Sequence, residues 1–218
     1  MAVADTAGAE LDDASLHPGE EQVIARAGGK RRREYTAARA CARLALADLG
    51  IPPVAILSGD QREPLWPAGV VGAITHCDDY RAAAVARATD IIAIGIDAEP
   101  HDAVPQDVAR RITRPEEVDL LVELIRAAPQ IHWDRLLFSA KESAYKAWFP
   151  LTHRWLDFQD ALVTPGLNGD LVVRLLVPAP ARLGPVLHGR WLTRNGLLLT
   201  AVMVTPATRH QMELRTDH

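Results

Sequence analysis

The stretch Asp90-Ile91-Ile92-Ala93-Ile94-Gly95-Ile96-Asp97-Ala98-Glu99 decides how the chain is read. Ile92, Ile94 and Ile96 fall on one side of an extended chain. Ala93, Gly95, Asp97 and Glu99 fall on the other, which is the period of a β-strand. Asp97 and Glu99 then share a face, with Cα atoms about 6.5–7 Å apart. Two carboxylates this close repel each other unless positive charge sits between them. A hard divalent cation such as Mg2+ satisfies both through oxygen ligands. The small residues Ala93 and Gly95 leave room for a ligand on the same face. Alone, the pattern also fits a strand with its polar side turned to water.

Upstream, Gly69 to Arg87 reads as a hairpin. Val71, Ala73 and Thr75 alternate with Gly72, Ile74 and His76. The Asp78-Asp79 turn follows, and Arg81 to Arg87 returns. Further back, Tyr35, Ala38, Ala42, Leu46 and Leu49 recur at helical spacing, predicting a helix over Lys30–Leu49 that Gly50 and Pro52-Pro53 stop. Arg32, Arg39 and Arg43 share a face of that helix. It is either a solvated basic face or a landing surface for phosphates, whose oxygens the guanidinium fork binds bidentately. Met1 to about Asp13 carries acids and no Lys or Arg, and reads as a mobile tail.

Downstream, Pro115–Arg126 and Trp133–Phe149 read as helices, the second stopped by Pro150. Strands follow at Asp160–Thr164, Leu171–Leu176, Gly189–Arg194 and Leu197–Val204, with Arg194-Asn195-Gly196 as a hairpin turn. The order helix, strands, helix, strands predicts an α+β fold. It suggests two similar halves, each a long helix on a small, mainly antiparallel sheet, with residues 1–89 and 90–218 as the two parts.

Composition sets the outer bounds. The chain has 218 residues, 48% hydrophobic and 24% charged, with 24 basic and 28 acidic residues for a net charge of −4. That excludes a disordered chain and argues against a general nucleic-acid binder. Cys41 and Cys77 are too few for a disulfide framework. The N-terminus lacks the charged start and apolar centre of a signal peptide, and no apolar run approaches the ~20 residues of a membrane span. A cytoplasmic protein is expected.

Two further clusters carry chemistry. In Phe138-Ser139-Ala140-Lys141-Glu142-Ser143-Ala144-Tyr145-Lys146, Glu142 and Lys146 sit one helical turn apart, with Lys141 about 100° away. A surface ion pair is the plain reading. The flanking Phe138, Tyr145, Trp148 and Phe149 suggest a helix with little free surface, where charges need partners. In Thr75-His76-Cys77 the histidine is either structural or a donor to phosphate. His76 and Cys77 point to opposite faces and do not form a catalytic pair. There is no G-x-x-x-x-G-K-[ST] loop and no G-x-G-x-x-G. Together the clusters are an inventory for handling a phosphorylated substrate with Mg2+.

In combination these motifs resemble the 4′-phosphopantetheinyl transferases of the surfactin/enterobactin type, and most closely the actinobacterial enzymes that modify polyketide and nonribosomal peptide synthases in secondary metabolism. The resemblance rests on Ile74-Thr75-His76-Cys77, Gly95-Ile96-Asp97-Ala98-Glu99-Pro100-His101 and Phe138 to Pro150, and spans about Gly28 to Thr205. It implies a pseudo-twofold α+β fold with the site between the halves. It implies transfer of the phosphopantetheine arm of coenzyme A to a serine of apo acyl and peptidyl carrier proteins, releasing 3′,5′-ADP.

By the same resemblance Asp97, Glu99 and Glu142 are the ligands of Mg2+, with Mn2+ as the alternative metal. Glu142 is the general base and Lys146 acts on the leaving phosphate. Lys141, Thr75 and His76 belong to the phosphate side, and Arg31 and Arg39 grip the 3′-phosphate. A monomer is expected. Two departures stand out. Several relatives carry lysine where Ser58 stands and a small residue where Arg62 stands, so Arg62 is a candidate replacement contact. Ala98 supplies no ligand between the acids.

Rival readings are a Mg2+-dependent nuclease or phosphoesterase, and a non-catalytic module binding coenzyme A or carrier proteins. The net charge, and the absence of a [DE]-x-K element beside Asp97, weigh against the first. The retained carboxylates and lysines weigh against the second. For carrier docking, Arg110, Arg111 and Arg114 in Pro105–Arg126 are candidates by charge complementarity, against a mobile solvated loop.

Overall fold

The computed structural model of the chain describes residues 1–8, 10–11 and 14–206. The strands are β1 (Ala2–Ala7), β2 (Val70–Cys77), β3 (Tyr80–Arg87), β4 (Ala93–Pro100), β5 (Ala161–Pro165), β6 (Asp170–Leu175), β7 (Val186–Arg194) and β8 (Leu197–Val204). The helices are α1 (Glu20–Val23), α2 (Gly29–Asp48), α3 (Gln106–Ile112), α4 (Pro115–Ala127) and α5 (Trp133–Thr152), with a 3-10 turn at Phe158–Asp160. The strands form two antiparallel sheets, β1-β3-β2 and β4-β8-β7-β6-β5. The α+β class read from the sequence is what the chain adopts.

Each sheet carries one 20-residue helix, α2 on β3 and β1, and α5 on β4 and β8. Alanines let α2 lie close: Ala37, Ala38, Ala42 and Ala45 are all buried. The approach of α5 to β4 is closer still. A Cβ added at Gly95 would lie 1.8 Å from the Ser143 carbonyl oxygen, so only glycine permits this packing. Ser139 and Ser143, one turn apart, both bond the Thr200 hydroxyl on β8, at 2.9 and 2.8 Å. Thr200 is the register partner of Asp97.

Strand β4 is covered on both sides, which explains its nearly continuous apolar run. Ala93 packs into the larger core under α5. Ile94, with Ile96 against it, packs with Ile91 and with Ala73, Ala84 and Ala86 of the first half. The reading of this strand as half-exposed is thereby excluded.

Three expectations are corrected. Residues Ala2–Ala7, read as a mobile tail, form β1 and pair with β3 from Ala2↔Val85 to Ala7↔Tyr80. The partner lies nearly eighty residues away, so local charge could not reveal it. Ala9, Asp12 and Asp13 of that stretch, and 207–218 of the second half, lie outside the described residues. Pro150 sits inside α5 and does not end it. The helix runs to Thr152, and His153 closes it in the left-handed conformation, its N–H donating to Phe149 O at 2.8 Å. Finally, residues Gln106–Ile112 form a further helix, α3, where an open segment was read, while α4 is the helix expected at Pro115–Arg126.

Candidate active site

Where β2 crosses β4, Thr75 joins the two halves. Its hydroxyl donates to Asp97 Oδ1 at 3.2 Å and accepts from the Ala98 N–H at 3.0 Å. With its one proton committed to Asp97, Thr75 cannot also donate to a cofactor phosphate. In this structure Thr75 positions Asp97 and the β4 backbone.

Asp97 is buried at the centre. Lys146 Nζ donates to Asp97 Oδ1 at 2.7 Å and to Ile96 O at 3.0 Å. Asp97 Oδ2 is buried with no hydrogen-bond partner. An orphaned carboxylate oxygen is costly unless something charged or hydrogen-bonding meets it. Glu142, one turn before Lys146 on α5, is half-buried, and among the described residues no hydrogen bond or ion pair holds its carboxylate. Burial pushes its pKa up, and the charges of Asp97 and Glu99 push it further, against Lys146.

Glu99 also stands above the usual carboxylate range, first through burial and then through Asp97. It is held by Arg135 Nη1 at 2.7 Å, and Arg135 is anchored in turn on the Asp102 and Ala103 carbonyls. The expected trio of Asp97, Glu99 and Glu142 is therefore not preassembled. Among the described residues no three Asp, Glu, His or Cys side chains stand together as a ready metal site. What the geometry offers a cation is one orphaned oxygen, one partnerless carboxylate and mutual repulsion. Such a donor set fits a hard divalent ion.

Lys141 faces away from this centre. Its ammonium donates to Glu117 Oε2 (2.9 Å), Ile112 O (2.6 Å) and Phe158 O (2.9 Å), and both charged side chains are 1% exposed. All three donors are used, so none reaches phosphate. The 100° offset from the Glu142–Lys146 face turns Lys141 toward α4 instead. Glu117 also accepts from the Arg114 and Val163 N–H groups, both at 2.8 Å.

Next to this centre lies a cavity of about 530 Å3. Arg31, Tyr35, Ala38 and Arg39 of α2 line one wall, at spacings of four, three and one that place them on one side of the helix. His76, Ser58 and Arg62 complete its polar lining. Arg31 Nη1 donates to His76 Nε2 at 3.0 Å. Burial, then the charge of Arg31, holds the imidazole below its ordinary pKa, so near neutral pH it is uncharged and accepts this bond. Arg39 is buried over the Tyr35 ring (4.3 Å) and gives two donors to the loop beyond, Ile56 O at 2.8 Å and Ser58 Oγ at 2.9 Å.

The shared basic face of α2 is neither a solvated face nor one phosphate surface. Arg43 pairs with the fully buried Glu20, at 3.0 and 2.9 Å, and Arg32 reaches Ile24 O at 3.3 Å. Glu20 also accepts from Ile56 N at 2.8 Å, fixing the loop that holds Arg39. Glu20, Glu117 and Arg135 went unrecognised in the sequence. Only Glu117 had a signal, three residues after Arg114 with Pro115 first in the helix, the spacing of a helix-start box.

A cationic cavity opening beside a carboxylate–lysine centre suits a ligand that carries phosphate. Comparison with known proteins makes this specific. Residues 19–86 match the 4′-phosphopantetheinyl transferase N-terminal domain, and residues 93–194 match the 4′-phosphopantetheinyl transferase superfamily. The chain is 48% identical to the 4′-phosphopantetheinyl transferase PptT of Mycobacterium tuberculosis, over 86% of this chain and 85% of that protein. It is 49% identical to the 4′-phosphopantetheinyl transferase Npt of Nocardia iowensis, over 88% and 90%. It is 32% identical to enterobactin synthase component D of Salmonella typhimurium, over 84% and 76%. The chain belongs to the 4′-phosphopantetheinyl transferase family and is an enzyme of that activity. Among the described residues no helix is long and apolar enough to cross a membrane.

Proposed function

We propose that the chain transfers the 4′-phosphopantetheine arm of coenzyme A to the serine of apo acyl and peptidyl carrier proteins, in a reaction that needs Mg2+ and releases 3′,5′-ADP. The observation that carries this reading is the partnerless Glu142 carboxylate beside Asp97 and Lys146, next to the arginine-lined cavity. The carrier serine Oγ bonds to the phosphorus bearing the pantetheine, and the bond from that phosphorus to the bridging oxygen breaks. Glu142 takes the serine proton, directly or through one water. Lys146, held on Asp97 and Ile96 O, faces the charge that builds on the leaving phosphate.

Asp97 and Glu142, joined by Glu99 once it leaves Arg135, would hold the metal. When bound it supplies positive charge to the pyrophosphate oxygens. Arg31, His76 and the free edge of Arg39 bind the 3′-phosphate of the nucleotide. The two helix-on-sheet units are read as the halves of a pseudo-twofold pair, residues 1–89 and 90–218, with the reacting centre at their crossing and the monomer as the working unit. Arg110 and Arg111, both exposed on α3, remain the basic candidates for an acidic carrier. Arg114 is committed to Glu116 and Gln159 O.

The test is intact-protein mass spectrometry of an apo carrier protein incubated with coenzyme A and this chain, with Mg2+ or with EDTA. A gain of one phosphopantetheine only with metal is expected. No gain across carriers of several types, despite coenzyme A binding, would refute the reading.

A further inference from the structure

Arg62 is exposed, stands at φ +67° and, among the described residues, has no hydrogen bond or ion pair on its guanidinium. A side chain at positive φ is uncommon, and such strain persists where surrounding structure enforces it. Here the enforcing structure is a tight turn. Ser58 pairs with Pro64, Gly59 N donates to Glu63 O at 2.8 Å, and Arg62 N donates to Gly59 O at 3.0 Å. The Glu63 carboxylate folds back to accept from Gln61 N at 3.0 Å, so close beneath Gly59 that a Cβ there would stand 2.1 Å from its Oε1.

The turn sets Arg62 between two cavities. One is the Arg31–Arg39–His76 cavity of about 530 Å3, and the other, about 180 Å3, is lined by Glu142, Tyr145 and Lys146. Three residues line both: Arg62, Pro64 and Ile74. Pro64 and Ile74 are apolar, so Arg62 is the charged group at the junction. A ligand with its terminal phosphate in the first cavity and its reacting end in the second must pass an anionic link over this boundary.

We propose that Arg62 binds the pyrophosphate of coenzyme A. The proposal rests on the transferase reading above and adds a contact to it. A guanidinium at this place donates to the non-bridging oxygens of the diester, where its planar fork is well suited. Ser58 cannot do the same. It carries no charge, and its hydroxyl already meets Arg39 and lies 3.5 Å from the Tyr35 hydroxyl.

The test is Arg62→Gly, since glycine removes the guanidinium and relieves the positive φ, so the variant folds. Its coenzyme A binding is measured by calorimetry and its transfer by steady-state kinetics, each also with dephospho-coenzyme A, which keeps the pyrophosphate and lacks the 3′-phosphate. Expected are a rise in Kd and KM of about tenfold for both ligands, the size of one exposed charge-assisted contact. The fall in kcat should be smaller, and Tm should stand at or above that of the parent. A loss confined to coenzyme A would overturn the assignment by placing Arg62 on the 3′-phosphate. An unchanged Kd for both ligands would overturn it outright. If the parent binds coenzyme A and transfers nothing, the transferase reading fails, and the calorimetric comparison still decides for or against Arg62.

Discussion

Lys141→Met separates a structural role from a substrate role at one residue. In the folded protein the Lys141 ammonium is sealed between Glu117, Ile112 O and Phe158 O. Methionine keeps most of the stem and removes the charge, leaving Glu117 buried without its cation. Breaking one side of a buried pair costs about 3–5 kcal/mol. Glu117 keeps two backbone donors, from Arg114 and Val163, so the lower end, about 3 kcal/mol, is expected. For a chain of 218 residues that is a Tm fall of about 6–12 °C, at about 2–4 °C per kcal/mol. Adding Glu117→Gln should cost about 2 kcal/mol less than the sum of the two single changes, because the partners are coupled. Well below the new Tm, calorimetry should find coenzyme A affinity within about twofold of the parent, since no donor of Lys141 faces the cavity. An unchanged Tm with a tenfold weaker coenzyme A would refute the reasoning and return Lys141 to the phosphate.

Three further outcomes are expected. Glu142→Gln should reduce transfer at least about a thousandfold while Tm stays within about 3 °C, because a partnerless carboxylate is exchanged for its isostere; retained activity in the mass assay would remove Glu142 from the chemistry. Gly95→Ala should destabilise by about 3 kcal/mol or more, since its Cβ has no room against Ser143 O, and a denaturant midpoint equal to the parent's would contradict the packing. His76 starts with a lowered pKa, set by burial and Arg31, with Glu34 opposing and Lys146 and Arg81 adding to Arg31. A phosphate beside it favours the charged ring, so coenzyme A binding should take up a proton and tighten as pH falls through the bound-state imidazole pKa. Calorimetry in buffers of different ionisation enthalpy reads this, and no uptake in the parent, or equal uptake in His76→Asn, would remove His76 from the phosphate.

The features legible in the sequence were those with local signals. Period-two alternation exposed β2 and β4, helical spacing exposed α2 and α5, and Arg194-Asn195-Gly196 exposed the β7–β8 turn. Spacing placed Asp97 on a strand face and Glu142 with Lys146 on one helix face, but their roles came from the resemblance of their motifs to the transferase family. Apart from Pro150 and α3, the misreadings depend on distant partners. Ala2–Ala7 becomes a strand only because β3 offers an edge. Lys141 becomes scaffold because Glu117 arrives from α4. Thr75 becomes a positioning residue because β4 crosses there. Arg43 turns inward, and the exposed Arg32 reaches Ile24 O, because residues 20–24 fold against α2. The electrostatic pattern of the site is thus divided between groups that face the cavity and groups, equally charged, that hold its walls.

The central claim is that the carboxylates of β4 and α5, with Lys146, form the reacting centre while Lys141 and Thr75 support it. Crystals grown with coenzyme A and Mn2+ test it most directly through the anomalous signal of the metal. The account predicts a peak within coordination distance of Asp97 Oδ2 and Glu142, with Lys141 still on Glu117. An active preparation whose metal lies away from both carboxylates would contradict it.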